Sequence, residues 1–139
     1  IKREAMLPIA FVPLLLTGAG LQHIHRAVFE FTGMGIGAEA KVLGNAANLI
    51  KAFKDEKVEL EIVCHDDGID LLLTRSGPIR TRLDKLHGQG VVLAACGNTI
   101  RGRNIDRKHL IPYAVVVDSG VAEVVRKEEA GWSYVRSAY

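Results

Sequence analysis

Cys96 is the first residue that could carry chemistry. It ends the apolar run Val91-Val92-Leu93-Ala94-Ala95 and is followed by Gly97-Asn98-Thr99. A short apolar run without alternation reads as a strand buried on both faces, as in parallel α/β sheets. In open α/β sheets the ligand crevice lies beyond the carboxyl ends of the strands. A thiol there can face a ligand, with backbone N–H groups of Gly97, Asn98 and Thr99 free to hold an anion. A thiolate is a nucleophile and can carry sulfane sulfur. The commoner fate of a cysteine ending an apolar strand is that of a small buried hydrophobe.

His65 ends a second run, Val58–Cys64. It can bond a ligand or take the thiol proton. Asp66 or Asp67 would orient it, with Gly68 closing the turn. In the rival reading both aspartates cap the next helix and His65 lies in solvent. Cys64 ends a strand comparable to that of Cys96. On neighbouring strands the two thiols could form a disulfide or hand sulfur over, subject to strict geometry. Gly33, Gly35 and Ala38 match G-x-G-x-x-A, with acidic Asp66 further on, the dinucleotide fingerprint in outline. Gly33 and Gly35 are therefore the residues a nucleotide would use, although sulfur chemistry at Cys96 needs no cofactor. His23 and His25 are spaced like a metal pair, but no third ligand is nearby, so no metal is expected.

Composition narrows the class. The 139 residues suit one domain with a sizeable core. The net charge of +2 is too small to imply nucleic acid. Arg101, Arg103, Arg107 and Lys108 form a basic patch without the interleaved aromatics that stack bases. Two cysteines without CxxC spacing give neither a disulfide framework nor a zinc site.

Residues 1–20 stand apart from the domain expected over residues 21–139. Lys2 and Arg3 precede an apolar stretch from Ala5 to Leu16, then Thr17-Gly18-Ala19-Gly20. These are the parts of a secretory signal, too short and Pro-broken for a membrane span. An apolar arm against a neighbouring subunit is the rival reading. The compartment is cytoplasmic, or periplasmic if the segment is a signal.

The elements that must position these residues alternate. Strands are expected at Arg26–Thr32, Val58–Cys64, Val91–Cys96, Ala114–Asp118 and, at an edge, Trp132–Arg136. Gly33–Gly37 reads as a flexible loop and Arg101–Arg107 as a basic one. Helices are expected over Glu39–Lys54, over Ile69–Thr74, from Pro78 to Gly88 or Gly90, and from Gly120 to Gly131. The last has Val121, Val124 and Val125 on one face. Parallel strands need crossovers and both sheet faces need cover, so a three-layer α/β/α domain with a mostly parallel five-stranded sheet follows.

From residue 26 onward the chain resembles the DsrE/DsrF-like, or YchN-like, family. The resemblance rests on Arg26–Phe31, Asn45-Ala46-Ala47-Asn48-Leu49, Val63-Cys64-His65-Asp66-Asp67-Gly68 and Gly90–Thr99. It continues through Ile105-Asp106, Leu110-Ile111-Pro112, Gly120–Arg126 and Gly131-Trp132-Ser133-Tyr134. It implies the same three-layer fold and small homo-oligomers, often trimers or hexamers. In the sulfur-relay branch a cysteine at the position of Cys96 carries a persulfide between donor and acceptor proteins. Cys96 with His65 would then be catalytic, and Gly97, Asn98, Thr99, Asp66 and Gly68 would hold the substrate. The sequel Gly97-Asn98-Thr99 is nearer to members without assigned activity. The reading from another class is an oligomer that binds a nucleotide or phosphate at Gly33–Gly37 and leaves Cys96 inert.

Overall fold

Five apolar or alternating runs become parallel strands: β1 Ile24–Phe31, β2 Lys57–Cys64, β3 Val92–Cys96, β4 Val115–Val117 and β5 Ser133–Arg136. The structure, a computed structural model, describes residues 22–137. The segment 1–20 lies outside the described residues, and its reading as an arm or signal stays a proposal. The strand order is β4-β3-β2-β1-β5, with every neighbouring pair parallel. Four helices connect them: α1 Gly35–Ala52, α2 Pro78–Gly88, α3 Gly97–Gly102 and α4 Gly120–Glu129. Short 3-10 helices span Asp66–Leu72 and Arg107–His109.

Strand periodicity divides the core. Phe29, Phe31, Leu60, Ile62 and Leu93 point to one face, where they meet Leu43 of α1 and Leu83 of α2. Val28, Val63 and Ala94 point to the other, against Val124 of α4. Burial of such side chains stabilises by roughly 2 kcal/mol each, so the two faces fix the register together. The result is the expected three-layer α/β/α sandwich with a five-stranded sheet.

Several local expectations are corrected. The Gly33–Gly37 loop is shorter than expected: Gly33 and Met34 lie between the elements, and α1 already begins at Gly35, whose φ of +86° turns the chain out of β1. The helix expected at Ile69–Thr74 is the 3-10 turn Asp66–Leu72, led by His65 without a side-chain cap bond. Asp66 and Asp67 occupy its first turn instead. Part of the basic loop is helical, because α3 starts directly at Gly97. The three valines of α4 share a face as their spacing implied, with Val124 buried and Val121 and Val125 60% and 48% exposed.

The α4 face also holds a buried charge. Glu61 is 3% exposed and meets Lys127 Nζ at 3.0 Å, while Lys127 lies 4.2 Å over the Trp132 ring. Burial pushes the Glu61 carboxyl from its ordinary 4.5 up to about 6; the Lys127 bond opposes this and Glu123 adds to it. The folded state therefore holds this proton more tightly than the unfolded chain. Its stabilising contribution is fully present below pH 4.5 and is lost as pH rises through about 6. Across that window wild type is expected to lose on the order of 1 kcal/mol relative to Glu61→Gln. Denaturant titrations at both ends of the window check this, and identical pH dependence in the two proteins would refute it.

Candidate functional site

Strand β3 delivers Cys96 to the carboxyl edge of the sheet, and the chain enters α3 at the next residue. Cys96 pairs with Val117 of β4 and shares the α4 face with Ala94. The first residue of α4, Gly120, therefore arrives directly at the thiol. Its N–H donates to Cys96 Sγ at 3.1 Å. A Cβ at position 120 would sit 3.1 Å from His65 Cβ and 3.2 Å from Cys96 Cβ. A glycine is what lets the helix approach this closely.

Burial raises the Cys96 thiol, but the N–H groups of Thr99, Gly120 and Asn98 and the Thr99 hydroxyl outweigh it. The thiol ends below its ordinary 9.0. Donors aimed at sulfur favour the thiolate, as helix starts do for reactive cysteines. The residue is nonetheless only 4% exposed.

Cys64 behaves oppositely. It is fully buried in the core beneath α1 and α2. Burial, helped by the negative charge of Glu39, drives its thiol upward. The approach of the two thiols expected from neighbouring strands does not occur. Cys64 aligns with Ala95 rather than Cys96, and one residue of offset sends the two side chains to opposite faces. Both cysteines are free.

His65 borders the thiol through Gly120, but its ring nitrogens look elsewhere. Nδ1 lies 3.3 Å from Asp66 Oδ2, and Nε2 lies 3.7 Å from Glu30 Oε1. The latter is too long for a hydrogen bond. Among the described residues the buried Nε2 has no hydrogen-bond partner. Amides and the Thr99 hydroxyl, not the imidazole, are the groups that touch the Cys96 sulfur.

The other sequence-derived positions divide by role. Thr99 joins the elements, because its hydroxyl accepts from the Asp66 N–H at 3.0 Å while also bonding the sulfur. Asp66, Asn98 and Thr99 share a cavity of about 380 Å³ with Asp67, Gly102 and Arg103. Asn98 Oδ1 accepts from Arg101 there. Gly97 and Gly68 are buried spacers: a Cβ on Gly97 would meet the Val117 carbonyl, and one on Gly68 the Phe31 carbonyl. Gly33 packs against Phe31 and Ala38, away from Cys96, and Gly35 faces open space. Among the described residues, no group of three or more His, Cys, Asp or Glu could hold a metal, and no helix is long and apolar enough to cross a membrane.

Sequence reasoning missed Gly120 and Glu30. Gly120 has a local signal, since Ser119 is an N-cap residue whose hydroxyl accepts from the Ala122 N–H at 3.3 Å. Only the β4–β3 pairing shows that this cap lands on Cys96. Asp118 fixes the turn, its carboxylate gripped by Arg126 at 2.7 and 2.9 Å. The Arg126 bond, then the Ser119 N–H, hold the Asp118 carboxyl down to about 2.

Comparison with known proteins agrees with this architecture. The model of the DsrE/DsrF-like family matches residues 25–136. A protein of unknown function from Methanobacterium thermoautotrophicum, MTH1491, superposes with a TM-score of 0.69 and is 34% identical. The match covers 81% of this chain and 98% of that one. The YchN protein of E. coli has the same fold, with a TM-score of 0.64, 19% identity, and coverage of 81% and 98%. No curated protein matches the chain.

Thiol-specific alkylation near neutral pH is expected to modify Cys96 well before Cys64. In Thr99→Val the pH midpoint of Cys96 alkylation should rise, because the hydroxyl that favours the thiolate is removed while the backbone N–H remains. Mass mapping of the alkylated protein reads both outcomes. An unchanged midpoint would remove Thr99 from the thiol's environment.

Proposed function

The chain belongs to the DsrE/DsrF-like family, and from that premise we propose that it carries sulfane sulfur as a persulfide on Cys96. The observation that supports this most is the Gly120 N–H bond to Cys96 Sγ, within a ring of donors that lowers the thiol. In loading, the Cys96 thiolate attacks the outer sulfur of a donor persulfide. The donor S–S bond breaks, the donor leaves as its thiolate, and Cys96 gains the outer sulfur. An acceptor thiolate reverses the step and frees Cys96. Each transfer exchanges one S–S bond for another, so neither oxidant nor reductant is consumed. The same amides stabilise the thiolate that attacks and the one that is released. With 4% exposure, loading requires the Ser119–Gly120 turn to give way at the sulfur.

A second reading takes that burial as its support. Cys96 is then inert, and an oligomer binds phosphate or a nucleotide at the start of α1. That helix has no side-chain cap and no acid in its first turn.

Polysulfide treatment followed by intact-protein mass spectrometry separates the two. Wild type and Cys64→Ser are expected to gain sulfur, and Cys96→Ser is not. Absence of any adduct on wild type would hand the site to the second reading.

Self-assembly into a trimer or hexamer belongs to the same proposal. Its support is an apolar surface on the α4 side, where Val92, Val115, Val121 and Val125 are 41%, 50%, 60% and 48% exposed. Light scattering is expected to show an oligomer that Val121→Asp with Val125→Asp dissociates. A monomer at micromolar wild-type concentration would overturn it.

A further inference from the structure

The carboxyl termini of α1 and α2 enclose a groove of about 550 Å³ at the end of the sheet opposite Cys96. This exceeds the cavity of about 380 Å³ beside Thr99 and is within the usual size of small-ligand sites. Leu43, Ala47, Ile50 and Leu86 supply its apolar floor. Lys51, Lys54, Arg82 and Lys85 stand around it, and no acidic residue lines it.

These cations differ from most others in the chain. Arg26, Lys57, Arg75, Arg80, Arg103 and Lys127 each pair with a carboxylate. Among the described residues Lys51, Lys54 and Lys85 have no such partner, and Arg82 bonds only the Ala40 carbonyl at 3.2 Å. Four positive charges gather here where the whole chain nets +2. The groove is thus more basic than the chain as a whole, and a local excess of one sign attracts ligands of the other.

Ordinary helix electrostatics explains part of the cluster. Lys51 and Lys85 occupy the last turns of α1 and α2, where a cation offsets the negative end of the helix. Lys54, directly after the C-cap of α1, shares that explanation, but Arg82 is mid-helix and the dipoles do not account for it. A second cavity of about 270 Å³ adjoins the first and shares Ile50, Lys54 and Gln89 with it. The apolar floor thereby continues toward Phe53, Val58 and Leu60, with Glu56 and Lys57 on the far rim.

We infer that this groove binds a small organic anion, an anionic head group on an apolar body, with the head among Lys51, Lys54, Arg82 and Lys85 and the body on the Leu43–Leu86 floor. Neither half of the site suffices alone. A bare anion gains only screened attraction from exposed cations. A neutral apolar molecule gains only the floor.

Phenyl phosphate, inorganic phosphate and phenol separate these contributions when titrated into the full chain by calorimetry or amide chemical shifts. Phenyl phosphate is expected to saturate the site at millimolar concentration or below, about tenfold or more tighter than either fragment. Its affinity should fall as salt rises. The double variant Lys54→Gln, Arg82→Gln should weaken phenyl phosphate about tenfold. Alkylation of Cys96 should not change in that variant, because the two sites occupy opposite ends of the sheet. Inorganic phosphate binding as tightly as phenyl phosphate would reduce the groove to surface charge. Full phenyl phosphate binding by the double variant, or no saturation in wild type, would overturn the assignment.

Discussion

The contact on which the site depends is the 3.1 Å bond from the Gly120 amide to the Cys96 sulfur. It ties the end of β3 to the start of α4 and leaves no room for a side chain between them. Everything around it serves to place one backbone N–H. β4 must pair with β3 so that the chain leaves the sheet beside Cys96. Ser119 must cap the helix so that α4 starts there, and Arg126 must reach back to Asp118 to brace the turn. The amide's direction is then fixed by a helix, not by a flexible loop, which is how a weak dipole becomes a dependable influence on a thiol.

The far end of α4 is fixed differently. Val124 supplies its one fully buried apolar contact, and the Glu61–Lys127–Trp132 stack supplies the rest. A buried ion pair adds little net stability, because desolvation consumes much of the attraction. It does make the seating of the helix specific, since a slipped register would strand Glu61 in apolar surroundings. The α1 and α2 layer has its own buried pair, Glu39 with Arg75, but depends on it less. Its register follows from broad apolar contact among Phe31, Leu43, Ile62 and Leu83.

Much of the fold was legible because period and punctuation agree. Ile79, Leu83 and Leu86 repeat at helical spacing behind Pro78, and all three are buried on α2. The run ending at Cys96 is the inner strand its unbroken apolarity implied. The glycines misled. Gly35 and Gly37 looked like loop residues, yet one turns the chain into α1 and the other lies within it. The valines of α4 show a limit of another kind, because helical spacing says which residues share a face but not how much of that face a sheet covers. At the site, Cys96 and Thr99 were readable from position along the chain. Gly120 and Glu30 were not, since strand order alone brings them to the same edge. Glu39, a carboxylate buried against Arg75, likewise has no local signature.

The single-residue stagger between Cys64 and Cys96 bears on kinetics. The sheet stands between the two thiols, so under the proposed function a sulfur on Cys96 would meet no resolving thiol within its own chain. Intramolecular disulfide formation, which discharges many loaded cysteines at a rate independent of dilution, is closed to it. Discharge is then second order, and the lifetime of the loaded form is set by the concentration of whatever thiol comes to collect it. A carrier built this way would hold its cargo when acceptors are scarce and give it up in proportion as they accumulate.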